Sequence, residues 1–238
     1  MYTLDRQERM RARYKQIKAG YRPALEIYDE LLDNLVDADT LLLDAGCGPG
    51  GLVKGMVGRA RRVTGVDRYV SAFAEQLEIP EAVEADLSAL PFADNSFTLI
   101  TCSWVLEHLP DPAAVFSEFS RVLKPGGRVM FITPNKGNYA VWLRRLVPSA
   151  ISQRIVHAIY ARDEHFINPT YYRANSQRDI DAAVRGTALR PVRFDHISDP
   201  SYLAFNEILF RVSIVIEALI DRFNPRSRVH LVGIYQKR

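Results

Sequence analysis

Cysteine is nearly absent from this chain: Cys47 and Cys102 are its two thiols in 238 residues. That is too few for the disulfide framework of a small secreted scaffold, and their spacing is not that of a zinc-ligand pair. A reducing cytoplasm is therefore the expected compartment, and no metal is expected. Long apolar runs are missing too. No uninterrupted stretch reaches the roughly 20 residues of a bilayer-crossing helix. The opening residues MYTLDRQERMRARYKQ are charged from Asp5 onward, without the apolar segment of a signal peptide. Neither sign of charge dominates: 31 basic residues face 28 acidic ones, for a net charge of +3, and the basic ones are scattered. Nucleic acid is not an expected partner on that balance. No internal repeat and no low-complexity tract is visible.

What is present is the composition of an ordinary soluble domain, with 47% hydrophobic and 25% charged residues. The length suits one domain, residues 1–238. From Arg6 to Leu35 apolar residues recur at helical spacing, interrupted by Pro23, which predicts a helical cap over residues 1–36. Seven strands are expected: Leu41 to Ala45, Arg62 to Val66, Ala82 to Ala85, Phe97 to Cys102, Arg128 to Thr133, Leu189 to His196 and Arg228 to Gln236. Apolar strands alternating with helical stretches predict a doubly wound α/β fold, a mainly parallel sheet covered on both faces. Residues 135–175, rich in aromatic and basic side chains, read as a lid inserted after the fifth strand.

Asp44-Ala45-Gly46-Cys47-Gly48-Pro49-Gly50-Gly51 follows the first strand and is expected to open a helix, its glycines allowing a tight turn and a close approach of backbone to ligand. Gly46, Gly48 and Gly51 satisfy G-x-G-x-x-G, and Asp67 stands about twenty residues on, so a nicotinamide dinucleotide is one reading. Two features favour S-adenosylmethionine (SAM). Asp44, just ahead of the glycines, is a poor neighbour for a pyrophosphate and a good one for an ammonium and a sulfonium. Asp86, after the third strand, is followed by Leu87, where a carboxylate can accept from an adenine amino group while a backbone N–H serves a ring nitrogen. Cys47, inside the loop, reads as a small space-filling residue.

The stretch from Glu84 to Gly127, EADLSALPFADNSFTLITCSWVLEHLPDPAAVFSEFSRVLKPGG, resembles the class I SAM-dependent methyltransferases, in particular the small-molecule type 11 branch that includes the ubiquinone and menaquinone biosynthesis C-methyltransferases. The likeness is strong from Leu41 to Pro134. It implies a seven-stranded Rossmann-like sheet whose last strand runs antiparallel beside the fifth, and a transfer of methyl from SAM that leaves S-adenosylhomocysteine. It implies a cofactor loop at Asp44, Gly46, Cys47, Gly48 and Gly50, ribose hydroxyls on Asp67 with Arg68 beside it, adenine at Asp86 and Leu87, and the methionine end bordered by Ser103 and Trp104. The acceptor implied is a small molecule with an O, N, S or C nucleophile.

Displacement at a sulfonium needs positioning rather than a metal, and a base where the acceptor is a hydroxyl or an acidic carbon. His108, just past the fourth strand, is the leading base. His165, in the lid, is the second, and Tyr171 is a candidate to orient the acceptor. The segment Tyr202 to Phe223 places Glu207, Arg211, Glu217 and Asp221 on one helical face and apolar residues over the rest. It reads as a helix packed on the sheet, or as a dimer face or lipid-contacting surface, so monomer and homodimer both stay open. Other readings are a SAM-binding regulator without catalysis and a nicotinamide oxidoreductase. The second leaves Asp86 without a task. A nucleic-acid methyltransferase lacks its N/D-P-P-Y/F motif, Ser103-Trp104-Val105-Leu106 standing in that place.

Overall fold

The computed structural model describes residues 4–139, 141 and 169–238. Most of the predicted lid, with His165 in it, lies outside the described residues. Seven strands form one sheet in the order β3-β2-β1-β4-β5-β7-β6. They are β1 Leu41–Ala45, β2 Arg62–Asp67, β3 Ala82–Glu84, β4 Phe97–Ser103, β5 Leu123–Pro134, β6 Leu189–Ile197 and β7 His230–Lys237. β1 pairs in parallel with β2 and β4, β2 with β3, and β4 with β5. Gln236 and Lys237 at the end of β7 bond to Gly126 and Leu123 at the start of β5, so the last strand runs antiparallel to the fifth. The helices are α1 Leu4–Ile17, α2 Ala24–Leu35, α3 Pro112–Val122, α4 Gln177–Ala183 and α5 Glu207–Phe223.

The chain forms two compact units. The first comprises Met1–Ile27, Pro134–Pro169 and His196–Leu231, the second Tyr28–Thr133, Thr170–Asp195 and Val232–Arg238. The second carries the sheet, and its strands are apolar runs because both faces are covered. Leu42, Leu43, Phe97, Ile100 and Phe131 are fully buried, and Phe116 and Phe119 of α3 lie among them. Phe116 meets Phe131 edge to face at 6.4 Å. α3 starts where Asp111 accepts the Ala114 N–H with Pro112 in the first turn, a strong local start signal. In the first unit, Tyr14 and Tyr21 pack with Ala204 and Phe210 against Met10 and Ile214.

Two expectations are corrected. The glycine loop opens no α-helix: only a short 3₁₀ turn, Lys54–Met56, lies between β1 and β2, and another, Val70–Gln76, between β2 and β3. Gly50, Gly51, Gly55 and Gly58 crowd that stretch, and each costs a helix about 1 kcal/mol relative to Ala. β5 begins at Leu123 rather than Arg128, because Phe97 pairs with Leu123 and Leu99 with Arg128 across an irregularity in the register. On α5, whose burial the sequence left open, Glu217 is fully buried, while Ile208 and Phe223 are each 73% exposed.

Candidate active site

The strand order reverses between β1 and β4, and in such sheets ligands usually bind beyond the carboxyl ends of the strands at that switch point. Asp44, near the end of β1, is buried, and in the parallel register it stands opposite Thr101 of β4. The Thr101 hydroxyl donates to Asp44 Oδ1 at 2.7 Å. Burial pushes the Asp44 carboxyl up to about 6, with Asp67 adding to the rise and the Thr101 bond opposing it. A buried carboxylate held by one neutral hydroxyl is an incomplete arrangement whose natural complement is a cation. That fits the ammonium and sulfonium of SAM and not a pyrophosphate.

After β1 the backbone folds back over β2. Gly46 and Cys47 donate their N–H groups to the Val66 carbonyl at 2.7 and 3.1 Å, and Gly48 donates to Asp67 Oδ2 at 3.1 Å. Asp67 Oδ1 accepts the Tyr69 N–H at 3.1 Å. The acid at the end of β2 is thus fixed by two backbone donors, and the loop is shaped around it. Gly46 has φ +77°, and a Cβ there would lie 2.3 Å from Val105 Cγ2, so both conformation and space require glycine. A Cβ on Gly65 of β2 would meet Cys47 Sγ at 2.7 Å. Cys47 therefore fills the space above a glycine, as expected, and burial pushes its thiol up to about 12, far from a nucleophile's range.

Asp86 lies two residues beyond β3. Its Oδ1 accepts from the Ser88 N–H and hydroxyl at 2.8 and 2.7 Å, and its Oδ2 accepts from Arg68 Nη2 at 2.5 Å. Ser88, and then Arg68, hold this carboxyl below its ordinary range. Arg68 therefore acts on the neighbouring acid. Leu87 is buried beside it. Ser103 donates its hydroxyl to Tyr28 of α2 at 2.8 Å. Trp104 follows with φ +60° and donates its N–H to the Ile132 carbonyl at 2.9 Å. A left-handed tryptophan is costly backbone, a kind of strain that clusters at functional sites.

His108 ends the turn Leu106–His108 after β4 and is half-buried. Its neighbour Glu107, which sequence reasoning passed over, organises the surroundings. The Glu107 carbonyl accepts the N–H groups of Tyr171 and Tyr172 at 2.8 and 3.2 Å. Its buried carboxyl accepts from the Thr133 hydroxyl at 2.9 Å, and Thr133 in turn accepts from Asn175 Nδ2 at 2.7 Å. Burial raises the Glu107 carboxyl, against the pull of its own backbone, His108 and Thr133. Tyr171 is exposed, with the Arg173 guanidinium 5.7 Å from its ring centroid. Of the three predicted catalytic residues, the backbone of Tyr171 thus bonds to the residue preceding His108, and His165 lies outside the described residues. Thr101, Tyr28 and Glu107 carried no motif: each matters through a partner distant in sequence.

A cleft of about 200 Å³ lined by Asp37, Thr40, Thr98 and Arg128 opens at the amino ends of β1 and β4, the opposite end from these acids, and holds none of the predicted residues. Among the described residues no group of three or more His, Cys, Asp or Glu could hold a metal ion, and no helix is long and apolar enough to cross a membrane.

Residues 43–131 match the family profile described as "Methyltransferase domain". A ubiquinone biosynthesis O-methyltransferase of Serratia proteamaculans (strain 568) is 30% identical over 199 residues, covering 77% of this chain and 78% of that protein. Among solved structures, geranyl diphosphate C-methyltransferase from Streptomyces coelicolor A3(2), with Mg²⁺, geranyl diphosphate and S-adenosyl-L-homocysteine, matches with a TM-score of 0.53 at 22% identity over 89% of this chain and 80% of that one. A geranyl diphosphate methyltransferase in complex with SAM matches with a TM-score of 0.56 at 20% identity over 98% and 90%. At those identities the structural matches speak to the fold.

Proposed function

This chain belongs to the class I SAM-dependent methyltransferases that act on small molecules, and from that membership we propose that its acceptor is a small apolar molecule methylated on a hydroxyl oxygen. The observation that carries the choice of oxygen is the match to an O-methyltransferase across more than three quarters of both chains. The half-buried His108, beside the tyrosine pinned to Glu107, is a fitting base for a hydroxyl.

SAM, when bound, supplies a methyl group activated on a sulfonium. Asp44 faces the ammonium and sulfonium charge, and Thr101 holds that carboxylate in place. Asp67 takes the ribose hydroxyls, and Asp86 with Leu87 takes adenine, Arg68 positioning Asp86. Gly46, Cys47, Gly48 and Gly50 shape the wall of the cofactor site, and Ser103 and Trp104 border the methionine end. His108 accepts the proton of the acceptor hydroxyl, and Tyr171 orients the acceptor. His165 is the alternative base. Residues 1–238 act as one methyltransferase domain, with 135–175 as the acceptor-side insert. Two buried free thiols suit a cytoplasmic enzyme, as a monomer or homodimer.

The test is transfer of isotopically labelled methyl from SAM to a panel of apolar phenols, amines and thiols. The expected label enters the hydroxyl compounds, Asp67→Ala abolishes transfer through lost cofactor binding, and His108→Ala lowers kcat by about 10²–10⁴ with SAM affinity kept. Label confined to amines or thiols, or an unchanged kcat in His108→Ala, would overturn it.

A further inference from the structure

α5 turns its apolar side outward. Its buried residues are Phe210, Ser213 and Glu217, while Ile208, Val212, Val215, Leu219 and Phe223, recurring every three or four positions, are between 44% and 73% exposed. That spacing puts all five on one stripe of the helix. One row of large apolar side chains held in water, with charged side chains along its edge, is the pattern of a helix that lies in a lipid interface. The stripe is about 22 Å long and about 10 Å wide, hence about 220 Å². A stable protein pair buries about 800 Å² on each partner, so this stripe is far too small to hold a second copy by itself. With 17 residues the helix is also shorter than the ~20 needed to span a bilayer. A lipid surface sets no such minimum, since an interfacial helix sinks only its apolar side.

The charges point the same way. Glu207 is engaged by Arg13 and Arg211, and the partly buried Asp221 by Lys18 and Arg228, so both of these acids of α5 are already neutralised. Among the described residues no acid pairs with Arg222 or Arg226. The Arg222 guanidinium lies 5.5 Å from the centroid of the Phe223 ring, and Arg211 and Arg222 follow one edge of the stripe. A basic edge beside an apolar stripe lets arginine heads reach anionic lipid headgroups while their stems cover apolar surface. We propose that α5 docks this protein on an anionic membrane surface, with Ile208, Val212, Val215, Leu219 and Phe223 at the acyl boundary and Arg222 and Arg226 on lipid phosphates. This holds whichever acceptor the enzyme methylates.

The test is flotation of the full chain with vesicles of phosphatidylcholine alone and of an equal mixture with phosphatidylglycerol, alongside sedimentation velocity without lipid. The chain is expected to float with the anionic vesicles and far less with the neutral ones. Leu219→Glu is expected to cut that partitioning at least about tenfold, and Arg222→Glu with Arg226→Glu to lower it on anionic vesicles only. These side chains are exposed, and unchanged SAM binding by calorimetry checks that each variant is folded. A wild-type chain that floats with neither vesicle overturns the proposal, as does flotation unaffected by both variants. A lipid-indifferent dimer that Leu219→Glu splits overturns it in favour of a second copy.

Discussion

The hydroxyl of Thr101 meets the carboxylate of Asp44 at 2.7 Å across two adjacent parallel strands, and it is the contact that counters the burial of the site's deepest acid. Asp67, at the end of the next strand, adds negative charge and pushes the Asp44 carboxyl further up. The pair is therefore most comfortable with a cation between them, and this couples cofactor binding to pH.

SAM affinity is expected to fall as pH drops through about 6, where Asp44 takes up its proton. Stability of the cofactor-free protein moves oppositely. The folded carboxyl binds its proton up to about 6 and the unfolded one only up to 3.8, so this group destabilises the fold progressively as pH rises through that window, by up to ~3 kcal/mol. Urea denaturation of wild type and Asp44→Asn across the window isolates the contribution; parallel curves would refute it. Thr101→Val is expected to weaken SAM about 10- to 100-fold by removing a hydrogen bond to a charged group, and calorimetry that finds less than a twofold change would discount the contact.

Gly46→Ala is expected to cost about 1–3 kcal/mol from the collision with Val105 and ~1 kcal/mol more from the left-handed backbone. Adding Val105→Ala relieves the collision and not the backbone strain. Equal losses for Gly46→Ala in both backgrounds, measured by denaturant unfolding, would rule out the collision.

The Arg68–Asp86 pair is about half exposed on both sides, so Arg68→Ala is expected to change stability by less than ~0.5 kcal/mol. Asp86→Ala is expected to weaken SAM about tenfold and Arg68→Ala only a few-fold. The double variant should bind no worse than Asp86→Ala, because Arg68 acts through that acid. Full additivity in the cycle would mean that Arg68 touches the cofactor itself.

In the first unit, burial pushes His230 down to about 4, with Asp199 opposing. Its ring lies against Tyr202, whose hydroxyl is 3.0 Å from Nε2. Because the unfolded histidine protonates from about 6.5, the folded state binds fewer protons between 6.5 and about 4, and stability is lost as pH falls through that interval, by up to ~3 kcal/mol. Nearby, Arg11 holds the buried Asp199 at 2.7 Å, and Arg11→Ala is expected to cost about 3–5 kcal/mol by stranding that charge. Thermal melts of wild type, His230→Gln and Arg11→Ala from about pH 7 to about pH 4 check both; a His230→Gln profile parallel to that of wild type would exclude His230 as the sensor, since the opposite slope from Asp44 is common to the two.

The alternation of apolar strands with turns was readable in the linear text, and so was the position of Asp44, Asp67 and Asp86, because residues that follow parallel strands all emerge at one end of the sheet. The cofactor preference followed from the sign of those charges. What periodicity could not report was pairing between distant segments. Thr101 is 57 residues from Asp44 and faces it only through the β1–β4 register. Tyr171 reaches the Glu107 carbonyl after a long excursion of the chain, and Cys47 has room only because Gly65 lies beneath it. α5 shows the same limit most plainly. Its 3.6-residue pattern announced an apolar face and a charged one, but which face is buried depends on what packs against the helix. Ser213 and Glu217 turned inward with Phe210, leaving the apolar stripe outside. Local sequence specifies the period of an element; only the assembled chain decides which side of it meets water.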